Sequence, residues 1–154
     1  MKNADNIEAA IALRCAALGL ARPQAEALAD AKPFPSDLMH VLGLNPDTLA
    51  PLPAKPWLWM AAQTSSVSYR DVLTPDALLA VLISGDVPDG YHAHVVHFLN
   101  EVPMQIVVMA IEQAAQQSGV PIARIWRSVD QLNSSLQSRR LGAVGESTCV
   151  AQIE

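Results

Sequence analysis

Charge is what this chain has least of. Only 16% of its 154 residues are Asp, Glu, Lys or Arg, whereas an ordinary soluble domain carries about 25%. Between Val102 and Ala123 the only ionisable residue is Glu112. A small domain has a high surface-to-volume ratio and needs more polar surface than a large one. With 51% hydrophobic residues, the sequence leaves two solutions. Either the core is unusually complete, or another molecule covers part of the apolar surface.

Other shortages exclude whole classes of function. The ten basic residues are scattered against fifteen acidic ones, for a net charge of −5. Their densest group is Arg124, Arg127, Arg139 and Arg140, too dispersed for the clustered cations that displace counterions from phosphate, so no nucleic-acid partner is expected. The two cysteines, Cys15 and Cys149, make no disulfide framework. No apolar run approaches the ~20 residues that span a bilayer, and Asp5, Glu8 and Arg14 interrupt any leader-like stretch. The expected compartment is therefore the reducing cytoplasm, without a membrane span. The glycines form neither a phosphate loop nor a dinucleotide fingerprint, and there is no G-x-S-x-G elbow. Asp86 and Asp89 lack calcium-loop spacing and read as turn residues. No cofactor is expected.

What is present is helical periodicity. Ile7, Ala10, Ile11 and Leu18 repeat at 3.6 residues, with Arg14 on another side. Asn3 or Asp5 can cap that helix and Gly19 end it. A second helix starts at Pro23 and runs to Ala31. A third covers Ser36–Leu42, with Ser36 as cap and Gly43 as terminator. Pro46, Pro51, Pro53 and Pro56 forbid a helix through 45–56. That stretch reads as a stiff linker, or, through Leu49 and Leu52, as a segment lying on the core. Beyond it, a helix from Trp57 breaks at Ser65, Ser66 and Ser68. Thr74-Pro75-Asp76 is a strong start signal for Pro75–Ser84, and Tyr91–Asn100, Met104–Ser118 and a final helix opened by Pro121 follow. The expected fold is an all-α, single-domain bundle of about six to seven helices. Its parts are an N-terminal segment 1–44, a linker 45–56, a main bundle 57–141 and a mobile tail 142–154.

Two side-chain groups could carry function. Around Tyr91-His92-Ala-His94-Val-Val-His97, the residues His94, His97 and Glu101 fall on one helical stripe. Such a set could hold Zn²⁺ or a redox metal, with His92 as an alternate ligand and His40, Asp86 or Asp89 supplying a fourth. The H-E-x-x-H pattern is absent, and three histidines on a half-exposed helix edge explain the group without metal. Trp57, Trp59 and Met60 suggest a partner surface, since Trp and Met are enriched at interface cores. Trp57 and Trp59 point about 200° apart on a helix, so both cannot face the same core.

Two expectations follow. The favoured one is a non-catalytic protein-interaction module (adaptor, scaffold, chaperone or immunity-type protein) that binds a protein partner or forms a homodimer through an apolar helical surface around Trp57, Trp59 and Met60. The alternative is a small metal-binding protein or metal-dependent enzyme built on His94, His97 and Glu101.

Overall fold

The computed structural model describes residues 4–30, 34–66 and 69–136. These form eight α-helices: α1 (Ala4–Leu18), α2 (Arg22–Leu28), α3 (Pro35–Val41), α4 (Trp57–Ser66), α5 (Pro75–Ser84), α6 (His92–Asn100), α7 (Met104–Ser118) and α8 (Ile122–Ser135). Every stretch read as helical in the sequence stands as its own helix, which brings the number among the described residues to eight against the expected six to seven. No strand occurs among the described residues; the one β-type contact is an isolated bridge between Leu44 and Pro51. The tail expected over 142–154 lies outside the described residues.

The long apolar helix α7 is the axis of the bundle. It packs against α3, α4, α5 and α8, and Val107 through Ile111 are buried without interruption. This explains the charge-poor stretch of sequence: a helix surrounded on several sides is apolar on several faces. No single helix is long and apolar enough to cross a membrane; α6 and α7 pass that test only together, and they are bent by 116°.

Local chemistry sets most helix ends. Thr74 Oγ1 accepts the Ala77 N–H at 3.1 Å, Pro75 follows, and Gly85 closes α5 at φ 75° by donating to Val81 O at 2.8 Å. Thr74→Ala, which removes only the capping oxygen, is expected to destabilise the protein by about 1 kcal/mol, read as a lower urea midpoint with an unchanged slope. An unchanged midpoint would show that the cap contributes nothing.

Three expected boundaries move. Helix α3 begins at Pro35 with Phe34 at its N-cap position, so Ser36 sits in the first turn and is not the cap. Proline fixes a helical φ and needs no N–H partner, and so opens the helix one residue early. Helix α2 ends at Leu28, short of Ala31, and Asp30 turns into the left-handed region at φ 58°. Ser65 and Ser66 do not break α4. Their hydroxyls donate back to Ala61 O and Ala62 O at 2.7 and 2.8 Å, which makes them compatible with a buried helix. Ser66 Oγ also accepts the Leu73 N–H at 2.8 Å, fastening the next loop. Ser68 lies outside the described residues.

Residues 45–56 lie on the core. The Leu44–Pro51 bridge, the Leu52 N–H to Gly43 O bond at 2.8 Å and the Asn45 N–H to Ala50 O bond at 2.8 Å fold the segment into a closed loop. Asn45 Oδ1 accepts from Asp47 N–H at 2.7 Å, the local turn its short side chain favours. Leu49 and Leu52 rest half-buried against a core continuous from Ile11 to Leu132.

Cys15 belongs to that core, and its thiol is free. Burial pushes its pKa up, partly offset by the Arg22 charge. In a Cys149→Ser background, Cys15 should alkylate on the order of a hundredfold more slowly in the native protein than in urea. Equal rates would place it at the surface. Arg22 in turn bonds Glu8 at 2.7 Å and links α1 to α2, and this hydrogen bond holds the Glu8 carboxyl below its ordinary value. That small contribution is present above the ordinary carboxylate range and is lost as the pH falls.

Candidate functional site

Most large apolar side chains are sealed inside. The large exceptions among the described residues are Leu13 (75% exposed), Phe34 (66%), Trp59 (51%) and Val72 (50%). Two of these, Leu13 and Trp59, sit at opposite ends of one band of adjoining grooves that follows the 45–56 loop.

At one end a cleft of about 510 Å³ lies between Ala54–Pro56, Trp59 and the start of α5, with Lys55, Asp76, Gln113 and Gln117 on its walls. It shares Ala54 and Gln113 with a second groove of about 250 Å³ beside Arg14, Trp57 and Glu112. That groove shares Arg14 and Pro51 with a third of about 280 Å³, lined by Leu13, Ala17, Leu44 and Leu49. Gln113 fixes the loop to the bundle. Its Oε1 accepts the Leu58 N–H and its Nε2 donates to Lys55 O, both at 2.8 Å. The floor of the band is therefore held by satisfied hydrogen bonds and is largely preformed.

Of the three residues read as a partner surface, only Trp59 presents itself. Trp57 is 5% exposed and packs in the core, and Met60 is half-buried against it. The geometry of α4 divides them: Trp57, Leu58, Ala61 and Ala62 face inward, while Trp59 and Gln63 face out. Lys55 Nζ lies 5.5 Å above the Trp57 ring and covers its remaining edge.

Beneath the band is an ion pair that sequence periodicity misplaces. Arg14 is buried, with 4% of its side chain exposed, and does not lie on a solvent side of α1. Its Nη1 and Nη2 each donate to Glu112 at 2.7 Å, Nε donates to Leu42 O at 2.8 Å, and Nη2 also reaches Met109 Sδ at 3.4 Å. This fork joins α1, the end of α3 and α7. The usable signal in the sequence was the isolation of Glu112 in an apolar stretch: a lone buried carboxylate needs a cation.

The histidine stripe does not assemble. Helix α6 stops at Asn100, and Glu101, at φ −117°, is its exposed C-cap, so the i+7 position falls off the helix. His94 is buried and its Nε2 lies 2.6 Å from Asp71 O. Because a carbonyl only accepts, Nε2 carries the proton, which assigns the tautomer. Nδ1 is buried without a hydrogen-bond partner among the described residues. The ring is packed between Tyr69 and Tyr91, with centroids 4.5 and 5.3 Å away, and Tyr69 donates to Ala93 O at 3.3 Å. His94 thus serves to fasten the 69–73 loop to α6. His92 is exposed, His97 meets the Tyr69 ring edge at 6.3 Å, and His40 contacts Gln105 across α3 and α7. Asp86 and Asp89 lie exposed in the α5–α6 turn. Among the described residues, no three His, Cys, Asp or Glu side chains converge in a way that could hold a metal ion.

The chain matches no protein-family model, no curated protein and no solved structure.

Proposed function

We propose that this chain is a non-catalytic protein-interaction module, of the adaptor, scaffold, chaperone or immunity type, that receives a polypeptide on the band between Leu13 and Trp59. One observation carries the reading. Two of the large exposed apolar side chains flank a run of adjoining grooves in which Gln113 and the Arg14–Glu112 pair are already bonded internally. Apolar surface gathered into one tract marks an association site more than scattered apolar residues do. A half-exposed Trp is the kind of anchor that carries binding energy once its surroundings are dried. The scarcity of charge fits the same picture, because a covered face needs little charge to stay in solution.

A photo-crosslinking amino acid placed at position 13 or 59 in cells, with position 134 as an exposed control on α8, tests the proposal. Discrete polypeptide adducts are expected at 13 and 59 and none at 134. No adduct at 13 and 59, or the same smear at all three positions, would remove the proposal.

A further inference from the structure

We infer that the occupant of the Trp59 cleft is a second copy of this chain, placed by a twofold axis so that Lys55 of each copy faces Asp76 of the other. The inference rests on the interaction-module reading and names its partner.

A twofold interface sets one patch against itself, so each residue i that meets j is matched by j meeting i. A patch with a single sign of charge repels its copy, whereas a patch with opposite signs on opposite walls attracts it. The Trp59 cleft is of the second kind. Lys55 lies on the loop wall beside Pro56, and Asp76 lies on the α5 wall beside Pro75. Neither takes part in an ion pair among the described residues. Both are exposed, and the Lys55 contact with the Trp57 ring leaves its charge without a counter-ion, with Trp59 and Leu58 sharing the cleft.

The rest of the band is electrically quiet. Arg14 and Glu112, the other charges on its walls, neutralise each other. The chain as a whole carries −5, so two copies repel over most orientations. The band is a tract where the charges cancel and the approach of a like molecule is least opposed. Complementary charge of this kind sets register and discriminates among partners, while the apolar centre supplies the affinity. The two symmetry-related Lys55–Asp76 contacts would fix the angle at which the two Trp59 clefts close over each other.

The test is a charge swap followed by sedimentation. Wild-type protein at micromolar concentration should sediment as a dimer of the 16.5 kDa chain. Lys55→Glu and Asp76→Lys each turn both symmetry-related contacts into repulsions, and each should weaken the dimer about tenfold or more, since each change removes two attractions and adds two repulsions. The double variant, Lys55→Glu with Asp76→Lys, restores opposite signs across the axis and should regain most of the affinity. Both positions are at the surface, and circular dichroism of each variant confirms that the fold is kept. Acrylamide quenching supplies a second readout: Trp59 fluorescence should be quenched in dilute protein and protected in concentrated protein. A wild-type chain that stays monomeric to about 100 µM overturns the inference, which places the dimer at micromolar concentration. So does a dimer that ignores the single reversals, or a double variant no better than the singles. Crosslinks at positions 13 and 59 to a different polypeptide, from a chain monomeric alone, would overturn the second copy as occupant and leave the interaction-module reading in place.

Discussion

Glu112→Ala should lower the unfolding free energy by about 3–5 kcal/mol, the range found when one partner of a buried ion pair is removed. The reason is what remains behind. Arg14 has only 4% of its side chain exposed, and two of its donors point at the partly buried Glu112 carboxylate. Without that carboxylate a full guanidinium charge sits among Leu42, Met109 and the 45–56 loop with one backbone acceptor. Because a domain is stable by only about 5–15 kcal/mol in total, the variant should lose a large share of its stability. A double-mutant cycle makes the test specific. Replacing both residues, Arg14→Leu with Glu112→Leu, should cost less than the two single changes added together, because an apolar pair strands no charge. Urea denaturation of the four proteins gives the coupling. A coupling below about 0.5 kcal/mol, the scatter of independent sites, would show that the pair is incidental to the fold.

Gly43→Ala should cost about 2–4 kcal/mol, combining the strain of a left-handed backbone with overpacking of a filled core. Gly43 ends α3 at φ 72°, where a side chain is strained in any surroundings. A Cβ there would also fall on the Met109 side chain, the same sulfur that lies against Arg14. One methyl group therefore presses on the turn, on α7 and on the buried fork together. Thermal unfolding monitored by circular dichroism should show the loss. Gly119→Ala is the control, with the same left-handed φ of 75° and nothing within 4 Å of the added carbon. It should lose only the conformational part, about 1–2 kcal/mol. Equal losses at both positions would show that Met109 gives way and that the close approach is irrelevant.

The helices were legible because their ends are written in residues that act locally. Thr74-Pro75, Gly85, Gly119 and the stripe Ile125, Val129, Leu132 need nothing from the rest of the chain to declare a cap, a stop or a face. Where Pro35 and the serines of α4 shifted a boundary, the competing chemistry was still local: a fixed φ in one case, a hydroxyl folded back onto its own helix in the other. The proposed partner surface was only partly legible. That Trp57 and Trp59 face opposite ways follows from helical geometry. Which of them faces the core depends on where α7 lies.

The histidines show the limit from the other side. The i, i+3, i+7 stripe holds only if the helix carries through Glu101, and α6 stops one residue short. The use of His94 is decided by Asp71 and Tyr69, more than twenty residues earlier in the chain.

By itself, the sequence determined that this protein is a bundle of helices and where most of them start and stop. It also determined that charge is scarce and apolar content high, because propensity, capping and composition act over a few residues or over the chain as a whole. Only the tertiary structure decided that Arg14 is buried against Glu112, that the proline-rich loop lies down on α7's neighbours, and that Leu13 and Trp59 end up along one band. Each of those depends on contacts between residues far apart in sequence, and no local preference specifies which distant side chains meet when the apolar faces close.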